Sequence, residues 1–161
     1  MTHAELAGTW LEAAGRPAIA DRLEGIYRLV ADQIEARGPA CWASGRCCNF
    51  EQAGHRLYVT GLEAAYCLAR LDGVPPDSPA IDRARLAGGC PFQRSNLCGV
   101  HAIKPLGCRT YFCDRSAQDW QHDVTERAHS LVAGVHEDFG VPYRYMEWRA
   151  MLELFATADA R

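Results

Sequence analysis

Seven of the chain's eight cysteines fall in two short stretches, and these stretches narrow the folds open to it. Cys41, Cys47 and Cys48 lie in CWASGRCCNF; Cys90, Cys98, Cys108 and Cys113 lie in GGCPFQRSNLCGVHAIKPLGCRTYFC. Gly38-Pro39 and Gly88-Gly89 stand just ahead of the two stretches, and both pairs break regular structure. The cysteines are therefore expected in loops, where a thiol without a partner is open to oxidation. Any workable fold has to supply partners for these sulfurs.

The surrounding sequence reads as helix. Ala4–Ala14 is a short segment closed by Gly15 and Pro17, and Leu23, Ile26, Tyr27, Val30 and Ile34 recur at helical spacing up to Gly38. Phe50 and Leu57-Tyr58-Val59 suggest a short β-hairpin. Thr60 and Glu63 fit a capping box, whose helix carries Leu62, Tyr66 and Ala69 on one face. Cys67 lies inside that helix and reads as a small buried hydrophobe rather than a ligand. A Pro-rich loop at 74–79 and a short helix over 80–86 follow. Trp120, Val124, Ala128, Leu131, Val135 and Phe139 form one seam, and Tyr145, Trp148, Leu152 and Phe155 a second. The expected fold is mainly α: a single domain over 1–161 with five or six helices and room for one short hairpin. Residues 41–114 form its cysteine-cluster core, flanked by helices in 1–40 and 115–161.

Composition limits the partners. A chain of 161 residues with 48% hydrophobic and 23% charged residues can bury a real core without staples. The net charge of −3, with arginines spread along the chain, argues against nucleic acid and anionic membrane as partners. The N-terminus lacks the basic and apolar regions of a signal peptide, and no segment reaches transmembrane length. The expected location is the cytoplasm, whose reductants keep ordinary thiols unpaired. Grouped cysteines there point to metal binding or redox chemistry ahead of a disulfide framework.

Metal ligation suits loop thiols, because coordination removes their protons and orders the loop. The spacings leave the metal open. No Cys-x2-Cys pair of the usual zinc type occurs. Cys108-x4-Cys113 matches one leg of a plant-type ferredoxin pattern, and Cys90-Pro91 echoes the Cys-Pro that closes a bacterial cluster motif. An iron–sulfur cluster is the first expectation, and zinc or a single iron ion the next. Adjacent side chains diverge, so Cys47 and Cys48 are not expected to reach one ion together. A purely thiol–disulfide protein is disfavoured, since no Cys-x-x-Cys opens a helix.

CWASGRCC, VTGLEAA and GGCPFQRSNLCGVHAIKPLGCRTYFC, in that order, resemble the cysteine-cluster proteins of the YkgJ type. The likeness spans about residues 41–114. That family is described as a zinc- or iron-chelating domain, so the resemblance implies a metal site built from Cys41, Cys47, Cys48, Cys90, Cys98, Cys108 and Cys113. Three positions depart from the family pattern: Ser44 replaces a signature cysteine, His101 stands where Tyr is usual, and Lys104 where Arg is usual. Cys113 is an added thiol that would restore the ligand lost at Ser44.

Other residues fall around this site. The Arg109 fork suits a thiolate, a sulfide or an anionic substrate. His101 falls between two candidate ligands, and Trp42, Phe92, Tyr111 and Phe112 are placed to shield a metal. His122, His129 and His136 recur every seven residues, but lie about 10 Å apart along a helix and are expected on a solvated face. The chain thus reads as a metal-binding protein serving as a scaffold for a protein partner or handling metal. The alternative is a metal- or cluster-dependent enzyme acting beside Arg109, in redox or group transfer such as protein modification.

Overall fold

A computed structural model describes residues 1–41 and 45–159. Among them are eight α-helices: α1 (His3–Gly15), α2 (Pro17–Arg37), α3 (Phe50–Ala53), α4 (Gly61–Ala69), α5 (Ser78–Leu86), α6 (Leu106–Thr110), α7 (Gln118–Asp138) and α8 (Trp148–Asp159). Four short strands pair as two antiparallel two-stranded sheets: β1 (Tyr58–Thr60) with β4 (Tyr145–Glu147), and β2 (Gln93–Arg94) with β3 (Leu97–Cys98). The protein is mainly helical, and α3 and α6 are a single turn or little more.

Local chemistry explains the helix ends. Thr2 and Thr60 each accept from the backbone N–H three residues on, while Glu5 and Glu63 reach back to complete capping boxes. Pro17 opens α2 with its φ already set, and Gly38 closes it in the left-handed region at φ 62°. Asp77 caps α5 through its side chain, ahead of a proline in the first turn.

Two packed groups of helices make one core. Helix α1 lies against α4 and α8, and α2 against α6 and α7. Trp10 is fully buried at the first junction, and its indole N–H donates to the Pro142 carbonyl at 2.7 Å, so the large ring leaves no unpaired donor. Ile19, Leu23, Leu62, Ile81, Met151 and Leu152 are sealed from solvent. Each such side chain contributes about 2–3 kcal/mol of apolar transfer.

Several local expectations are corrected. No hairpin joins Phe50 to residues 57–59. Phe50 reaches the core from the first turn of α3, Gly54 turns the chain at φ 70°, and β1 pairs instead with β4, Val59 opposite Met146. The local hairpin lies within the second cysteine stretch. There β2 and β3 are joined by Ser95 and Asn96, both at positive φ (49° and 64°), the conformation of a tight two-residue turn. Tyr145 belongs to β4 rather than to the last helix, and it is exposed. In α7 the buried stripe uses Val132 in place of Leu131, which is exposed. The histidine stripe is not a uniformly solvated face. His122 is exposed, His129 half-buried and His136 buried, because residues 141–143 fold back over the end of α7. The His136 Nδ1 bonds there to the Pro142 carbonyl at 3.0 Å.

Candidate metal centre

The two cysteine stretches meet. Cys47 and Cys48 occupy a turn just ahead of α3, and the chain returns alongside them at Gly89-Cys90, where the Cys90 N–H donates to the Cys48 carbonyl at 2.9 Å. Gly89 makes this approach possible, since a Cβ there would stand 3.0 Å from the same carbonyl oxygen. Gln93 adds a second tie, its amide donating to the Gly45 carbonyl at 3.3 Å. The β2–β3 hairpin then folds Cys98 back toward the turn.

Cys48 is the hub of the sulfurs. It is buried, and the side chains of Cys47, Cys90 and Cys98 stand near enough to act on its titration. Those three neighbours, followed by burial, push its pKa well above the ordinary thiol range. Its neighbours move the other way. Cys47 and Cys98 fall to about 6, chiefly because each accepts from Cys48, with the Lys104 charge assisting. Cys90 is lowered for the same first reason. The Cys47 and Cys48 thiols thus act on each other's titration.

Backbone and indole N–H groups hold the lowered sulfurs in place. Cys90 interacts with the Phe92 backbone and Cys98 with the Val100 backbone, in each case two residues ahead, and both interactions favour the thiolate. The Trp148 indole N–H also points at the Cys90 sulfur, 3.4 Å away. Donors aimed at sulfur are what a thiolate ligand set requires around it.

Cys108 and Cys67 complete the inner side. Cys108 is carried by α6, and its thiol is raised well above the ordinary value, first by burial and then by the nearby Cys90 and Cys98. Cys67 is fully buried in α4 and pushed up to about 12 by burial, with Cys90 and Cys98 adding to the rise. Both keep their protons at neutral pH in this arrangement.

Cys41 is exposed and Cys113 half-buried. Their segments are brought together where the Ala40 N–H donates to the Asp114 carboxylate at 3.1 Å. Burial, then the charges of Cys113 and Cys47, raise the Tyr111 phenol. Ser44 and Trp42 lie outside the described residues, so the exchange of ligand between Ser44 and Cys113 has no geometry to report.

Arg109 serves the loop that carries the cysteines. Its Nε–H donates to the Lys104 carbonyl at 2.7 Å, one terminal N–H donates to Ala102 at 3.2 Å, and the guanidinium lies over the Tyr27 ring at 3.9 Å. This fork staples residues 102–109 to α2. His101 is exposed, and the Lys104 charge, then burial, hold its imidazole below the usual value.

Four residues that the sequence reading left out of the site shape it. His55 stacks on Tyr111 with ring centres 4.0 Å apart, and its Nε2 lies 3.3 Å from the Arg46 carbonyl, beside Cys47. Glu63 is buried, and its carboxylate accepts from Thr60 and from the Leu106 N–H that begins α6. Trp148 and Lys104 act on the sulfurs directly. The capping-box pattern at Thr60–Glu63 and the place of Lys104 in the family pattern were visible in the sequence; the roles of His55 and Trp148 depend on contacts between distant segments.

Among the described residues no group of three or more His, Cys, Asp or Glu side chains is already arranged as a metal-ion site. The thiols of Cys47, Cys48, Cys90 and Cys98 are near enough to shift one another's titration. No family model matches the chain, and no curated protein or solved structure matches it.

Proposed function

We propose that the protein binds a metal centre through the thiols of Cys47, Cys48, Cys90 and Cys98, with Cys108 on its inner side and Cys41 and Cys113 at its margin. The observation that carries this reading is the hub at Cys48. One S–H proton cannot serve three sulfur acceptors at once, whereas a cation can be shared by all four. Cys47, Cys90 and Cys98 are each lowered first of all by the neighbouring Cys48 thiol, which favours release of protons to a metal. The all-sulfur donor set suits soft and borderline metals.

An iron–sulfur cluster is the favoured occupant, with zinc or a single iron ion next. Support comes from the number of thiols gathered and from the N–H groups aimed at them, which tune such clusters. The resemblance to YkgJ-type proteins points to the same class of site. The metal would order residues 45–48 and 89–113, giving a scaffold for a protein partner or a metal-handling protein in a reducing compartment such as the cytoplasm. The enzymatic alternative requires a substrate beside the sulfurs, within reach of the loop that Arg109 staples.

Anaerobic purification followed by iron, sulfide and zinc analysis and an absorption spectrum tests the proposal. Broad visible absorption with stoichiometric iron and sulfide is expected. Colourless protein with one equivalent of zinc would transfer the site to that metal. Metal-free protein with all its cysteines titrating as thiols, and unable to bind iron or zinc added anaerobically, would overturn the reading.

A further inference from the structure

A second site opens on the outer side of the Cys90 turn. Helix α5, the Pro-rich loop before it and residues 89–94 enclose a cleft of about 490 Å³. This lies within the usual range for a small-molecule site. One wall is apolar, built by Val74, Pro75, Pro76 and Phe92, and Val74 is 91% exposed at its lip. Arg83 from α5 and Arg94 from β2 line the same cleft.

The charge balance of the cleft is unusual. Acidic groups near α5 are already engaged elsewhere: Asp82 and Glu153 pair with Arg85, and Glu153 also accepts from Ser78. Asp77 lines the cleft, but its carboxylate caps α5 by accepting from the Ala80 N–H at 2.9 Å. The Arg83 guanidinium has no hydrogen bond or ion pair among the described residues. Arg94 donates only to the Pro91 and Gln93 carbonyls at the long distances of 3.4 and 3.5 Å. Two guanidinium groups thus face the cleft with most of their donors uncommitted, against one carboxylate that is partly used.

We propose that this cleft binds a small organic anion, a carboxylate or phosphate ester, with its charged end between Arg83 and Arg94 and its apolar body on Val74, Pro75, Pro76 and Phe92. Guanidinium forks match the paired oxygens of both headgroups. Asn49 and Cys90, next to and within the thiol cluster, also line the cleft. A bound anion therefore rests against the backbone that positions Cys90. The proposal does not depend on whether the thiols hold a metal.

Amide chemical-shift titration of the full-length protein, with metal content measured in parallel, tests the site. Probes are hexanoate, phenyl phosphate, inorganic phosphate, hexanol and hexylammonium. Hexanoate or phenyl phosphate should give saturable shifts at residues 80–94, and the tighter of the two identifies the headgroup. Inorganic phosphate should bind at least about tenfold more weakly for lack of an apolar body. Arg83→Ala and Arg94→Ala, at exposed side chains, should each weaken binding roughly tenfold, and the double variant should abolish it. No saturation by either organic anion, equal binding of hexanol or hexylammonium, or unchanged affinity in the double variant would each overturn the proposal, whatever the metal analysis returns.

Discussion

The Glu63 carboxylate accepts the Leu106 N–H at 2.8 Å, joining the start of α4 to the start of α6 across 43 residues of sequence. The same side chain accepts from the Thr60 backbone and hydroxyl at 2.9 Å. One buried carboxylate thereby closes a capping box and sets the helix that carries Cys108. In Glu63→Gln an amide N–H₂ would face one of these donors, at a cost of about 1–3 kcal/mol. Urea denaturation should show that loss. Hydrogen exchange should show faster exchange at Leu106 and along α6, while α1 and α2 stay protected.

Cys67 and Cys108 both stand near the sulfur cluster, but they should respond differently to substitution. Cys67 faces the core from α4, so Cys67→Ala should lose about 1 kcal/mol of packing and keep its metal. Cys108→Ala should lower metal content in protein purified and reconstituted side by side. Equal metal loss in the two variants would place Cys67 among the ligands.

The lowered thiols can be read by alkylation of metal-free protein. Cys47 and Cys98 should react with iodoacetamide with a midpoint near pH 6, whereas Cys67 should stay unreactive until about pH 12. The sign for stability follows from their folded pKa values lying below the unfolded thiol value of about 8.5. Their stabilising contribution is fully present above that unfolded value and is lost as pH falls through about 6. Urea midpoints for metal-free protein should therefore decline from pH 8.5 toward pH 6, and Cys98→Ala should flatten part of that slope.

Gly61 opens α4 directly against the Trp10 indole, and a Cβ at this position would stand only 2.1 Å from the nearest ring atom. Gly61→Ala should force Trp10 from its place and break its bond to the Pro142 carbonyl, at about 1–3 kcal/mol. Gly134→Ala in α7, where a Cβ meets nothing within 4 Å, should be neutral or slightly stabilising. Thermal melts of the two variants make the comparison.

Much of this protein was legible in the order of its residues. Helical periodicity, the Thr60–Glu63 box, the Gly15–Pro17 break and the Gly38 stop are local preferences, and local physics was enough to place those elements. The loop position of Cys41, Cys47, Cys48, Cys90 and Cys113 and the burial of Cys67 were readable for the same reason, whereas Cys98 falls in β3 and Cys108 in α6. What remained hidden depends on segments far apart in the chain. Nothing local tells β1 to pair with β4 rather than with residues near Phe50, because each strand has only three residues and its partner is chosen by burial of Val59 against the helices. Periodicity alone could not tell Leu131 from Val132, or keep His136 in solvent, since residues 141–143 decide which side of α7 is covered. The hub at Cys48, the Trp148 N–H on Cys90 and the Glu63 hold on Leu106 all exist only once the two loops have met. Sequence names the sulfurs; the approach of the 47–48 turn to Gly89-Cys90 decides which of them act on one another, because sulfur interactions act over a few ångströms while the residues supplying them lie some forty positions apart.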